Sequence, residues 1–208
     1  MYFLKNMEKN SFRTCFIDDK KNVFLYKDVL RKADLESKKL IQRRLIFVLA
    51  KNHTDFITSY VGFLRRGLVQ MLLNPDIDKT LLFKLLESYL PTYIFIPKSR
   101  SNDFLNFETL YELNDHKVLI YNKTKIYPVN KDLALLLATS GSTGSKKFAK
   151  ITHQNIYDNT KNIIKYLKIN KNHKSITTMP PFYTYGLSII NTHLYSGGSI
   201  VVTNKSIM

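Results

Sequence analysis

One segment of the sequence has the residue types needed to bind phosphate. It reads Thr139-Ser-Gly-Ser-Thr-Gly-Ser-Lys-Lys147 and follows an apolar run that predicts a buried strand. Small side chains and glycines let a backbone approach a ligand closely, and successive N–H groups in such a loop form a concave anion site. The hydroxyl groups and the two lysines add donors and positive charge. The segment therefore favours binding of an oligophosphate.

The glycine spacing separates this loop from two common phosphate-binding motifs. A Walker A loop has four residues between its first glycine and Gly-Lys-Ser/Thr, but two residues separate Gly141 from Gly144, and Ser145 precedes Lys146. The dinucleotide motif Gly-x-Gly-x-x-Gly does not match either. A polar hairpin between two strands stays open as an alternative, because short Ser/Gly loops are common.

The segments around the loop alternate between strand and helix patterns. Apolar runs predict strands at 23–26, 45–50, 68–73, 92–96, 133–138, 148–151, 176–179 and 199–203. Helical spacing of apolar residues is found at 27–40, 54–67, 78–90, 152–167 and from about 186. Such alternation predicts an α/β fold with layered, parallel-rich sheets flanked by helices.

Local signals set several boundaries of these elements. Thr54, Asp78 and Thr152 are predicted helix N-caps, and Gly67 suits the position that follows a helix. Residues 98–117 are mixed and polar, and we predict a connecting excursion there.

The loop and three further segments resemble the adenylate-forming superfamily of acyl-CoA synthetases, aryl-acid ligases, adenylation domains and luciferases. Residues 139–147 look like that family's T-S-G-[ST]-T-G-x-P-K loop. Residues 150–155 resemble its L-T-H-x-N motif, and residues 179–187 resemble P-L-F-H-x-x-G-L. Residues 45–74 follow its order of strand, helix, glycine, strand and L-N-P. The resemblance spans residues 20–203.

The resemblance implies a fold and a reaction. Residues 1–208 would form the N-terminal part of one AMP-binding large domain, with a first α/β part at about 1–130 and a phosphate-loop part at 131–208. The reaction would be ATP-dependent carboxylate activation, in which the carboxylate attacks the α-phosphate to give acyl-AMP and pyrophosphate. The acyl group would then pass to the thiol of coenzyme A or of a carrier protein.

The resemblance also implies a role for each matched residue. Seven residues would hold the phosphates of ATP: Thr139, Ser140, Gly141, Ser142, Thr143, Gly144 and Lys147. Thr143 could also contact Mg²⁺. Three residues would border the carboxylic acid substrate: Tyr183, Tyr185 and Gly186.

Three positions depart from the family pattern. Lys146 replaces the family's proline, which makes the loop less rigid and more basic, and Phe148 replaces the following glycine. Tyr183 stands where many members have histidine, so it can donate one hydrogen bond but carries no charge near pH 7.

The family's later motifs bind adenine and ribose, bring a glutamate to Mg²⁺ and supply a catalytic lysine, and none has a position in this chain. We therefore expect no complete catalytic set here and no activity of these residues alone. A complementing C-terminal chain is one expected partner. The alternative hypothesis is a non-catalytic phosphate- or nucleotide-binding remnant, or a subunit that requires a partner.

The composition of the chain bears on whether it binds nucleic acid, spans a membrane or is secreted. Lys+Arg total 32 against 16 for Asp+Glu, giving a net charge of +16, but the basic residues are scattered. A nucleic-acid-binding protein usually concentrates them on one face, so this class is a weaker alternative and no specific nucleic acid is expected. No apolar run approaches the roughly 18 residues of a membrane helix. A lone Cys15 and an N-terminus without a signal-peptide pattern lead us to expect a cytoplasmic location.

The five histidines offer no metal-binding motif in sequence. They are His53, His116, His153, His173 and His193. No two of them have the i, i+4 spacing of a paired metal ligand, so we assign them structural or solvent-facing roles.

Overall fold

Two β-sheets with flanking helices make up the fold in the computed structural model, which describes residues 2–139 and 147–204. The helices are α1 Tyr2–Lys9, α2 Tyr26–Ser37, α3 Thr54–Arg66, α4 Lys79–Tyr89, α5 His153–Leu167 and α6 Thr184–Ser196. The strands are β1 Thr14–Ile17, β2 Val23–Leu25, β3 Leu45–Leu49, β4 Val69–Leu73, β5 Tyr93–Pro97, β6 Thr109–Glu112, β7 His116–Ile120, β8 Leu133–Ala138, β9 Phe148–Thr152, β10 Lys174–Ile176 and β11 Ser199–Val201. A 3₁₀ helix covers Lys98–Phe104. Within the described ranges, none of the helices is both long and apolar enough to cross a bilayer.

The larger sheet has seven strands in the order β6-β7-β5-β3-β4-β8-β9. Its four central strands, β5, β3, β4 and β8, run parallel, and β7 and β9 pair antiparallel at their flanks. The predicted parallel-rich α/β fold is therefore confirmed. Parallel neighbours align all their carboxyl ends on one side of the sheet, which is where ligands bind in such folds.

Strand β3 is buried on both faces, as its unbroken apolar sequence predicts. Ile46 and Val48 belong to a core shared with α2 and α3, whereas Phe47 and Leu49 belong to a second core shared with α4. Successive side chains of a strand point to opposite faces, so the five apolar residues of β3 contribute to both cores. The two cores fix the strand's register and hence the position of the residues after it.

The smaller sheet joins the two ends of the chain. Its order is β10-β11-β1-β2, and β1 pairs parallel with β11 although nearly the whole sequence separates them. The buried Tyr26 hydroxyl donates to the carbonyl oxygens of His193 and Gly198, at 2.9 and 2.7 Å. Strands from both sides of residue 130 thus share each sheet, and the proposed division of the sequence there stays a prediction.

Several predicted boundaries are confirmed by their capping contacts. The Asp78 carboxylate accepts from the Leu81 N–H at 2.9 Å, and Gly67 ends α3 with a φ of 74°. Thr152 and Asn155 form a reciprocal capping box at the start of α5, with both bonds at 3.0 Å. Thr54 is not an N-cap; that position belongs to His53, whose Nδ1 accepts from the Asp55 N–H at 3.1 Å.

Residues 98–117, for which we predict a connecting excursion, contain regular secondary structure that the sequence pattern did not indicate. This region contains a 3₁₀ helix and β6, and it ends in β7, which extends the large sheet antiparallel to β5. Strand β6 forms the sheet's edge and combines buried Tyr111 with exposed Glu112, whereas β7 combines buried Val118 with half-buried Lys117. That mixture resembles a polar loop when it is read without its sheet partners.

Strand β10 ends three residues before the predicted boundary at residue 179. The Asn52 amide nitrogen donates to the carbonyl oxygens of Thr177 and Met179, at 3.0 and 3.2 Å. These bonds tie the segment after β10 to the end of β3, while the Thr177 N–H still donates to the carbonyl oxygen of Val201 in β11 at 3.0 Å. Tyr26 similarly begins α2 instead of ending β2.

We predict that Gly62→Ala destabilises the fold, although alanine normally favours a helix interior by about 1 kcal/mol. A Cβ at residue 62 would lie 2.6 Å from the carbonyl oxygen of Ala33, where α3 crosses the backbone of α2. Overpacking of this kind costs about 1–3 kcal/mol. Urea unfolding measures the change in the free energy of unfolding.

The control for this prediction is Gly67→Asn, because a Cβ there meets nothing within 4 Å and asparagine tolerates a positive φ. We expect a loss of less than about 1 kcal/mol for this control. Wild-type or higher stability of Gly62→Ala would contradict the close approach of α2 and α3.

Candidate functional site

The two ends of the predicted phosphate loop are held together at the carboxyl end of β8. The Thr139 N–H and hydroxyl both donate to the carbonyl oxygen of Lys147, at 2.9 and 3.1 Å. Ala138 and Phe148 are paired directly beneath them in the β8–β9 ladder. The segment is thus a closed hairpin loop whose base lies at a strand end, and both Thr139 and Lys147 are exposed there.

The central part of this loop, with the predicted ligand residues Ser140, Gly141, Ser142, Thr143 and Gly144, lies outside the described residues. Their phosphate and Mg²⁺ contacts therefore stay predictions. Phe148, which departs from the family pattern, packs its ring against Tyr89 of α4 at 5.7 Å between centroids. This contact anchors the second arm of the hairpin to the core.

A cavity of about 590 Å³ opens where the carboxyl ends of strands from both sheets converge. Residues after β3, β4 and β5 line one side, and residues after β10 and β11 line the other. Among the described residues that line it, two are cations and both are paired: Lys51 Nζ lies 3.4 Å from the Asp115 carboxylate, and the Arg100 guanidinium binds Asp103. The cavity is a mixed polar and apolar cleft in the position expected for a ligand site.

The structure separates the two predicted tyrosines. Tyr183 is the N-cap residue of α6 and lines the 590 Å³ cavity, together with Phe182. Tyr185 lines a different groove of about 390 Å³ between α5, α6 and β8. Their exposures of 55% and 66% exclude a core role for both side chains. Neither Thr139 nor Lys147 is among the described residues that line these two spaces.

Gly186 shapes the site through the backbone. A Cβ there would lie 2.2 Å from the carbonyl oxygen of Pro180 and 2.7 Å from that of Met179. Only glycine therefore lets α6 begin against the Met179–Pro180 segment, which carries the chain to Tyr183. Gly186 itself lines neither cavity, so its structural effect is to position its neighbours.

A buried cluster that the sequence spacing did not reveal lies behind the wall of this cavity. His53, Asp55 and His116 each offer a ligand atom, and the three atoms lie within 4.8 Å of one another. Asp55 and His116 are fully buried, and the His116 ring stacks on Phe95 at 4.7 Å. The polar start of α3 was the available signal for Asp55, whereas His116 belongs to β7, which sequence reasoning missed.

Asp55 is ionised within this cluster. Burial opposes the charged form, but the contacts of Asp55 with His116, the Asp115 N–H and Lys32 outweigh it and hold the pKa of the carboxyl below its ordinary value. The Asp115 N–H donates to Oδ2 at 2.8 Å, and Lys32 Nζ lies 3.2 Å from Oδ1. For His53, burial lowers the pKa and favours a neutral imidazole.

The chain belongs to the AMP-binding enzyme family, whose model matches residues 3–208. It is 29% identical over 135 residues to the nonribosomal peptide synthetase kk1B of Curvularia clavata, covering 62% of this chain and 1% of that protein. It is 33% identical over 93 residues to the oxalate–CoA ligase of Saccharomyces cerevisiae, covering 43% of this chain and 17% of that protein. The chain thus spans a small part of the curated relatives that it matches.

The fold is shared with solved structures of adenylate-forming enzymes. The ATP-bound crystal structure of MatB from Rhodopseudomonas palustris superposes with a TM-score of 0.80 at 17% identity. That match covers 98% of this chain and 45% of MatB. The resemblance that the sequence motifs indicated is therefore confirmed, both for the family and for the fold.

A prediction on pH dependence follows from Glu36, which neighbours the buried cluster. Lys32 Nζ lies 3.8 Å from its carboxylate, and the Ser59 hydroxyl donates to it at 3.5 Å. Burial nevertheless raises the pKa of Glu36 from 4.5 to about 7. The folded state therefore holds this proton more tightly than the unfolded state does, and its stabilising effect disappears as the pH rises from about 4.5 through 7.

The free energy of unfolding should fall between pH 5 and pH 8 in both proteins. We expect this fall to be smaller for Glu36→Gln than for the wild type, by about 1–3 kcal/mol. Urea unfolding at several pH values measures the difference. The exposed Glu108→Gln is the control and should keep the wild-type profile. Parallel pH profiles for the wild type and Glu36→Gln would refute the assignment.

Proposed function

We propose that this chain provides the phosphate- and carboxylate-binding part of an ATP-dependent carboxylate-activating ligase. In the proposed reaction a carboxylate oxygen attacks the α-phosphorus of ATP, the bond to the β-phosphate oxygen breaks, and pyrophosphate leaves. A thiol of coenzyme A or of a carrier protein then attacks the acyl carbon, and AMP leaves. The observation that carries the proposal is the closed Thr139–Lys147 loop at a strand end in a chain of the AMP-binding enzyme family.

The hairpin geometry supports phosphate binding by this loop. The bonds from Thr139 to the Lys147 carbonyl close the loop while leaving both residues exposed to a ligand. An ammonium group at this position can neutralise charge on the departing pyrophosphate, which is an electrostatic contribution to catalysis. We assign Mg²⁺ to the same phosphates, with Thr143 as the hydroxyl ligand that the family resemblance implies.

The cavity beside Tyr183 is the proposed carboxylic acid site. It lies at the carboxyl ends of the parallel strands, and the two cations among its described lining residues, Lys51 and Arg100, are already paired with Asp115 and Asp103. The substrate's apolar part therefore finds its main contacts with Phe182 and Tyr183, on the segment that Gly186 positions. Tyr185 lines the separate groove between α5, α6 and β8, so we do not propose that it contacts the same substrate.

We predict that Lys147→Ala weakens ATP binding to this chain by about tenfold or more. A hydrogen bond to a charged group contributes about 1.5–3 kcal/mol, and 1.4 kcal/mol corresponds to a factor of ten. Titration calorimetry with ATP and Mg²⁺ measures the dissociation constant, and competition by pyrophosphate tests whether the phosphates are the part recognised.

Lys150→Ala is the matched control, because Lys150 is an exposed lysine on β9 outside the loop and its loss changes the net charge equally. We expect near wild-type affinity for this control. Equal weakening by both substitutions would mean diffuse attraction of a polyanion to a basic surface, and unchanged affinity of Lys147→Ala would also reject the phosphate loop.

The activity itself is tested by carboxylate-dependent ATP–pyrophosphate exchange, with fatty, aryl and amino acids, on the gene product that contains these residues. We expect exchange with at least one class of acid and a loss of about 10²–10³ in rate on substitution of Lys147 by alanine. Exchange with none of these acids, despite ATP binding, would contradict carboxylate activation while leaving the nucleotide site intact.

A further inference from the structure

The His53–Asp55–His116 cluster contains polar groups that the fold leaves unsatisfied. His116 is fully buried, yet neither of its ring nitrogens has a hydrogen-bond partner among the described residues. Buried polar atoms in proteins nearly always have a partner, and a site for a metal ion is one recognised reason for an exception. The carboxylate oxygen Asp55 Oδ2 lies 3.7 Å from His116 Nδ1, which is too far for a hydrogen bond.

The geometry points to a divalent transition-metal site of the zinc class, and we infer that His53, Asp55 and His116 are its protein ligands. Two imidazoles and one carboxylate are a donor set that Zn²⁺ accepts, with a fourth position left for water or another oxygen. This inference is independent of the proposed ligase function, which uses none of these three side chains.

The distances are close to those that a bound ion requires. Asp55 Oδ2 lies 3.6 Å from His53 Nδ1 and 3.7 Å from His116 Nδ1. The three ligand atoms all lie within 4.8 Å of one another, whereas ligands about 2.0–2.1 Å from a tetrahedral Zn²⁺ are separated by about 3.3–3.4 Å, so the side chains would have to close in on the ion to complete the site. His53 Nδ1 now accepts a hydrogen bond from the Asp55 N–H, and binding of the metal through Nδ1 would replace that hydrogen bond with a bond to the metal.

The surrounding contacts hold the carboxylate in the orientation that a metal ligand needs. Lys32 binds Asp55 at Oδ1, which leaves Oδ2 directed at the two histidines, and the Asp115 N–H donates to Oδ2. Contacts of this outer kind typically orient metal ligands.

An entry path and a fourth ligand are present on the exposed side of the cluster. The side chain of His53 is 29% exposed, and Asp115 Oδ2 lies 4.0 Å from His116 Nδ1. A carboxylate at this distance can complete the coordination directly or through a water molecule. Lys51, which pairs with Asp115, lines the 590 Å³ cavity, so the metal would lie behind that cavity's wall.

The test uses Zn²⁺ and Co²⁺ as probes on the metal-free 208-residue chain. Competition with a chromophoric chelator measures Zn²⁺ affinity and stoichiometry, and the visible d–d absorption of Co²⁺ reports four-coordinate geometry. We expect one ion per chain, a tetrahedral Co²⁺ spectrum, and at least about tenfold weaker binding by His116→Gln.

Two further variants make the result decisive. His53→Gln changes a partly exposed side chain and should weaken binding similarly, which covers the case in which His116→Gln does not fold. His173→Gln alters an exposed histidine outside the cluster and should bind as the wild type does. No stoichiometric binding by the wild type, or equal affinity in the wild type and His53→Gln, would overturn the inference.

Discussion

The arrangement of this molecule depends on the burial of β3 between two hydrophobic cores. Ile46 and Val48 are fixed against α2 and α3, while Phe47 and Leu49 are fixed against α4. A shift of one residue would exchange the two sets of side chains between cores of different shape. The register of β3 is therefore strongly specified, and with it the position of Lys51, Asn52 and His53, which follow the strand.

Those three residues connect the central sheet to the rest of the site. The Lys51 side chain contacts the Asp115 carboxylate, and the Asn52 amide donates to the segment after β10. His53 is the N-cap residue of α3, and its ring accepts a hydrogen bond from the N–H of the buried Asp55. One strand end thus organises the cavity, the attachment of the second sheet and the histidine cluster. The loop of residues 139–147 starts from a parallel strand of the same sheet, so its base has the same support.

Sequence patterns predicted the parts of this structure that local chemistry determines. The apolar run of β3 and the N-cap residue Thr152 both act within a few residues, and both predictions are confirmed. Strand β7 was not predicted, because its polar residues His116 and Lys117 are explained only by its pairing between β6 and β5, which the local sequence pattern does not reveal. For the same reason the sequence did not reveal that His116 lies beside Asp55, or that Tyr183 and Tyr185 face different spaces.

The central claim is that residues 139–147 bind the phosphates of a nucleotide, and amide chemical shifts test it most directly. In ¹H–¹⁵N spectra of the ¹⁵N-labelled chain titrated with ATP and Mg²⁺, we expect the largest changes at Gly141, Gly144 and their neighbours in the loop, since backbone N–H groups would contact the phosphates. Changes confined to scattered lysine-rich surfaces, with the amides of residues 139–147 unmoved, would contradict the account.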